Sequence, residues 1–295
     1  MLPGSSIARC ARWCYKQDMQ PRPQPDVLEL FRAFAELPEE AMDAVEGALL
    51  IALAEYPALE RSFYRRQLFE LAREAHETCT GDLTHRLEKL SRLFSGRWGF
   101  RGNHEDYYDP RNSFLNDVLD RRTGIPITLS LVYIEAGRGA GLELVGVGMP
   151  GHFLVGVAGR NDLYVDAFSG GALLTRADCA ARLRELHPDI AFQPGFLAPV
   201  SPRQILVRML NNLLEIYLQM DRFAKALVPL EMILHLEPGQ PHWLRRRALV
   251  HYHLKNYSRA IADLEAYLAQ APDALDRAEL ERHLLALRQL RSLVN

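Results

Sequence analysis

Two side chains near the middle of the chain have the right types for proton-transfer chemistry. His152 and Asp166 fall in short alternating apolar segments that read as β-strands, and both follow an apolar helix opening at Pro126. A helix start, a strand histidine and a strand aspartate are how a cysteine-nucleophile triad is laid out. The helix dipole favours thiolate, the imidazole shuttles the proton, and the carboxylate fixes the imidazole tautomer. The stretch from Gly124 to Gly171 supplies the second and third members. The four cysteines lie elsewhere: Cys10 and Cys14 near the N-terminus, Cys79 among helices, Cys179 in a helix after the strands. They have no C-x-x-C or metal-ligand spacing and read as reduced thiols of a cytoplasmic protein. Ser130, one turn along the apolar helix, is the alternative nucleophile, with Thr128 nearby. A mid-helix hydroxyl more often packs or bonds the carbonyl one turn back, and a nucleophile at 130 needs His152 within hydrogen-bond reach.

Strand parity makes the His–Asp pairing testable, because side chains alternate faces along a strand. A two-residue hairpin at Arg160 and Asn161 would set Val155 against Asp166 and turn His152 to the other face. A three-residue loop, or a bulge at Asn161, puts both on one face. The latter is expected.

The elements that must hold these residues read as follows. Residues 1–24 are expected to be a disordered leader, and Met19 is a second possible start. Helices are expected over Asp26–Leu37, from Pro38 to about Tyr56, over Ser62–Thr78 and over Asp82–Phe94, with apolar residues recurring at three and four. Gly96–Asn112 is too aromatic for a linker and reads as an ordered loop. Its Tyr107 and Tyr108, together with Phe153, are candidate groove-lining residues. A helix over Asn112–Arg122 precedes the apolar helix, which runs Pro126–Ala136 and is expected to end at Gly137, Gly139 and Gly141. Strands are expected at Leu142–Val147, Phe153–Val157 and Leu163–Ala167, followed by a helix capped by Thr175.

The last third repeats. Phe223 and Tyr257, Ala226 and Ala260, Leu230 and Leu264, and Pro238 and Pro272 are each 34 residues apart. That period, with small residues inside the second helix and a closing proline, is the tetratricopeptide signature. Two repeats, about 207–240 and 241–274, precede a capping helix over 275–294. Two repeats are few to stand alone, so the module is expected to pack on the preceding domain. On the 34-residue frame Arg208, Asn211, Arg245 and Tyr252 are candidates for the concave, peptide-binding face, where Arg and Asn suit a peptide carboxylate.

Four segments together resemble a known family: Tyr107-Tyr-Asp-Pro-Arg-Asn-Ser-Phe-Leu-Asn-Asp-Val-Leu, Gly124-Ile-Pro-Ile-Thr-Leu-Ser, Pro150-Gly-His-Phe-Leu and Val165-Asp-Ala-Phe-Ser-Gly-Gly. They resemble the bacterial SirB-type family, in which a transglutaminase-like domain is followed by tetratricopeptide repeats. The resemblance runs from about residue 25 onward. It implies an α+β fold: a helical N-terminal block with a small antiparallel sheet of transglutaminase-like, papain-like type, then an all-α repeat module. It divides the chain at about residue 200, with a helical scaffold over 25–104 and a core over 105–190. It also implies that the nucleophile position, about fifteen residues before the glycine turn, is Pro126, with His152 and Asp166 as the remaining dyad.

The leading expectation is therefore a non-catalytic protein- or peptide-binding regulatory protein; the alternative is a hydrolase or acyltransferase using Ser130 with His152 and Asp166. A net charge of -2 gives no reason to expect nucleic acid or an anionic membrane as partner. No apolar run is long enough to span a bilayer. His242, His251 and His253 lack a carboxylate at ligand spacing, so neither a metal nor a cofactor is expected.

Overall fold

The structure, a computed structural model, describes residues 26–294; the expected leader lies outside them. Helix α1 (Val27–Ala35) starts just inside the expected span because Asp26 caps it, its carboxylate accepting the Leu28 N–H at 3.1 Å. The single helix expected from Pro38 is instead two elements. A 3₁₀ turn, Glu39–Ala41, ends at Met42, and α2 (Ala44–Glu55) starts afresh. Asp43 is the reason: its carboxylate takes the Val45 and Glu46 N–H groups at 2.9 and 3.3 Å, which makes it a cap. Helices α3 (Arg61–Thr78) and α4 (Leu83–Ser91) follow, the latter passing into a π-helical turn, Arg92–Arg97.

Strand β1 (Arg101–Gly102) pairs in parallel with β2 (Thr123–Gly124), flanking a 3₁₀ turn at Pro110–Asn112 and α5 (Leu115–Arg121). The central helix α6 (Pro126–Gly139) is longer than expected, with Gly137 and Gly139 inside it. They are there for packing. A Cβ on Gly139 would lie 1.8 Å from the Ala72 carbonyl oxygen of α3, and one on Gly137 would lie 2.4 Å from Leu144. The helix stops at Gly141, whose φ of +66° suits glycine.

A five-stranded antiparallel sheet follows: β3 (Leu144–Val147), β4 (Leu154–Val157), β5 (Tyr164–Asp166), β6 (Ala172–Leu174) and, after α7 (Arg176–Leu186), β7 (Pro199–Val200). Its order is β6-β5-β4-β3-β7. Val155 and Val165 join the main core on one face; Leu154 and Tyr164 pack with Cys179 and Leu183 of α7 on the other.

Five helices complete the chain: α8 (Pro202–Gln219), α9 (Phe223–Leu236), α10 (His242–His253), α11 (Tyr257–Gln270) and α12 (Arg277–Val294). The turns inside the two helix pairs are alike, with Asp221 and Lys255, 34 residues apart, at φ 54° and 59°. The main core runs without a break from Phe31 of α1 through α2 and α6 to Leu206, Leu213, Leu230 and Val250. Leu206 fills the space a side chain on Gly47 would need, 2.4 Å from its Cβ position. Arg203 ties the same seam, donating to the carbonyls of Ala35 and Leu236 at 3.0 and 2.8 Å. The repeat helices thus pack on the first domain.

Candidate functional site

The β4–β5 register brings the expected pair together. Val155 faces Val165 and Gly156 faces Tyr164, so even-numbered residues oppose even-numbered ones across the hairpin. His152 and Asp166 therefore share a face, and His152 Nε2 lies 3.0 Å from Asp166 Oδ2. The approach is close but the ring N–H is not aimed along it, since Nε2 completes no hydrogen bond among the described residues. Loose alignment of this kind is common in unliganded sites. With Nε2 turned to the carboxylate, Nδ1 is the nitrogen left for a ligand.

Asp166 has no exposed surface. Its carboxylate accepts the backbone N–H of Ser169 at 3.1 Å and the Ser169 hydroxyl at 2.9 Å, and it pairs with Arg182 of α7. Burial by itself would raise its pKa; His152, the Arg182 charge and the Ser169 N–H outweigh this and hold the carboxyl below its ordinary range. Sequence reasoning missed both partners. Ser169 was detectable, because Asp-x-x-Ser is a turn spacing. Arg182 carried no signal, being set opposite Asp166 only by the packing of α7.

His152 stands at the end of a turn, Met149-Pro-Gly-His, in which Gly151 adopts φ +71°. Arg208 of α8 holds that turn: its Nη2 donates to the carbonyls of Met149 and His152 at 2.8 and 2.7 Å. The 34-residue frame put Arg208 on the concave repeat face; instead it reaches into the first domain, because α8 packs against it. Phe153 is likewise not a groove wall. It is 2% exposed, in the main core, with the Arg208 guanidinium 5.6 Å above its ring.

The open side of the site is aromatic. Phe168 lies edge-on to His152 at 6.2 Å, to Tyr107 at 6.0 Å and to His104 at 4.5 Å. Tyr107 reaches the site through Phe168, and Tyr108, 56% exposed, packs on Tyr107. Beyond His104 opens a polar cleft of about 610 Å³, lined by Arg101, Asn103, Asp106 and Arg111 among others. Asn112, fully buried, organises this loop: its amide donates to the carbonyls of Asp106 and Tyr107 at 2.8 and 3.2 Å. Its backbone carbonyl accepts the Thr128 hydroxyl at 2.8 Å, which ties the loop to the start of α6.

Pro126 occupies the first position of α6 and is buried. Ser130 is fully buried, and its hydroxyl makes no hydrogen bond among the described residues, to His152 or to the helix carbonyls. Burial pushes the Cys79 thiol up and the Cys179 thiol up to about 11, so neither is poised as thiolate. Among the described residues no three His, Cys, Asp or Glu side chains converge on a metal-sized site. No described helix is long and apolar enough to cross a membrane.

The remaining candidates lie on the repeats. Arg245 and Tyr252 line a cleft of about 590 Å³ between α10 and α12, with Leu249 and Leu287. Asn211 is engaged by Arg246, whose Nη1 donates to its Oδ1 at 2.9 Å. His242 packs on Trp243 at 4.4 Å, and His253 stacks on Phe223 at 4.2 Å.

Comparison with known proteins agrees with this architecture. Residues 62–211 match the transglutaminase-like superfamily, and residues 213–285 match a tetratricopeptide repeat family. A UPF0162 protein of Xylella fastidiosa strain Temecula1 is 36% identical over 271 residues, covering 88% of this chain and 95% of that protein. A UPF0162 protein of Vibrio cholerae is 30% identical, covering 79% and 88%. F-box only protein 21 of Mus musculus is 28% identical over 78% of this chain and 42% of its own length. No solved structure gives a match. On matched sequence and shared architecture, the chain belongs to the UPF0162, SirB-type family of transglutaminase-like proteins that carry tetratricopeptide repeats.

Proposed function

We propose that this is a non-catalytic, cytoplasmic binding protein, using a transglutaminase-like fold without its nucleophile and a tetratricopeptide surface to hold a protein or peptide partner. The repeats carry the interaction, through the cleft between α10 and α12 that Arg245 and Tyr252 line. Nucleic acid, membrane and cofactor have no part in this reading. The observation that supports it most is at the start of α6. Proline stands there, with neither thiol, hydroxyl nor N–H, and no described thiol or hydroxyl bonds His152. Without a nucleophile an acyl intermediate has nothing to form on.

The second reading, a hydrolase or acyltransferase using Ser130, draws its support from the close His152–Asp166 approach. One pair of experiments separates the two. A serine-reactive fluorophosphonate should leave the wild-type chain unlabelled, while Arg245→Glu with Tyr252→Ala should lose partners captured from native lysate. Labelling at Ser130 that disappears in His152→Ala would reverse the choice.

A further inference from the structure

Among the described residues Arg208 is a charge without a counterion. The arginines around it are matched: Arg182 by Asp166, Arg203 of the same helix by Glu39, and Arg246, which bonds Asn211 of that helix, by Glu215. Arg208 is half-buried beside the His152 turn and forms no ion pair with any described acid. Its Nη2 is used by two carbonyls; Nη1 and Nε donate to no described residue. Gly148 keeps Nη1 clear, since a Cβ there would sit 3.2 Å away. Tyr107 is within electrostatic reach: burial raises its pKa, and the Arg208 charge acts against that rise. Asp166 is already matched by Arg182, so the positive charge of Arg208 is in excess at the site.

A half-buried cation without an acid is costly, and the carbonyl dipoles and the Phe153 ring face offset only part of that cost. A ligand anion removes the rest. One positive charge with free N–H donors suits a singly charged carboxylate; a phosphate dianion would be left half unmatched. We infer that the surface beside the His152 turn binds a peptide carboxylate on the free N–H groups of Arg208, with Tyr107 and Phe168 bordering the adjoining residue. This rests on the binding reading above and adds a second contact point, distinct from the repeat cleft.

The test is an NMR titration of the ¹⁵N-labelled full chain with three probes: acetyl-trialanine free acid, its amide, and acetyl-Ala-Glu-Ala amide. The expected result is saturable shifts in the amides of residues 148–153, 107 and 168 and in the Arg208 Nε–H, with the neutral amide silent. Shifts with the free acid alone assign a C-terminal carboxylate; shifts with the glutamate peptide alone assign an acidic side chain. Arg208→Gln should weaken binding at least tenfold, and Arg208→Lys less. Should Arg208→Gln fail to fold, the wild-type shift map decides. The inference is overturned if the neutral amide binds equally, if inorganic phosphate reproduces the shifts at the same concentration, or if they map to α10–α12. A silent titration beside intact partner capture that is lost only in the repeat-cleft variant would remove this inference and leave the proposed function standing.

Discussion

Asp166 is buried, satisfied on both oxygens and matched by Arg182, so its charge is a stability term as well as a site feature. Its folded-state pKa lies below the ordinary carboxylate value. Its contribution is therefore complete above about pH 4 and is lost as the pH falls through the lower folded value. Asp166→Asn should destabilise the chain by about 3–5 kcal/mol at pH 7, the scale of breaking a buried pair. In urea denaturation the gap between variant and wild type should narrow steadily below about pH 4; a gap constant with pH would show that the charge contributes nothing. Ser130 makes the opposite prediction. Its buried hydroxyl has no partner among the described residues, so Ser130→Ala should leave stability unchanged or raise it by up to about 1 kcal/mol. A drop of that size would reveal a hydrogen bond. Both residues could be picked out from type and context alone, whereas Arg182 and Phe168 could not, because their roles exist only once α7 and the loop after β5 are packed.

Among the elements, the helices were legible from their periodic apolar faces and, for α7, from its cap at Thr175. Asp43 was read as helix interior because Pro38 and two glutamates offered a competing start five residues earlier. The strand register was legible as a choice between two loop lengths. The short strands β1, β2, β6 and β7 were not, since two or three residues show no alternation and pair only because tertiary packing brings them side by side. Gly137 and Gly139 looked like punctuation, yet they are contact surface. Gly139→Ala should accordingly cost about 2–3 kcal/mol by driving α3 from α6. Thermal unfolding would check it, and a neutral result would mean that the two helices can separate at little cost. Gly96→Ala, with open space at its Cβ position, is the matched control.

At the scale of the whole molecule the 34-residue repeat was plain, and so was the expectation that two repeats would lean on the first domain. What the period could not convey is how completely they merge: α1, α2, α6, α8, α9 and part of α10 bury one continuous core. A chain ending at residue 200 would uncover the face of α2 that carries Gly47, Ile51 and Ala54, where Leu206, Leu210 and Leu213 of α8 now lie. It should show no cooperative unfolding transition by circular dichroism, while the full chain shows one covering the main core; a sharp transition in the shortened chain would disprove the shared core. The same seam has a consequence for birth on the ribosome. Synthesis proceeds at roughly 5–20 residues per second, so α2 emerges on the order of 10–40 s before α9. Throughout that interval the nascent N-terminal helices present an apolar face whose cover has not yet been translated, which makes this chain a natural client for chaperones that guard unfinished polypeptides.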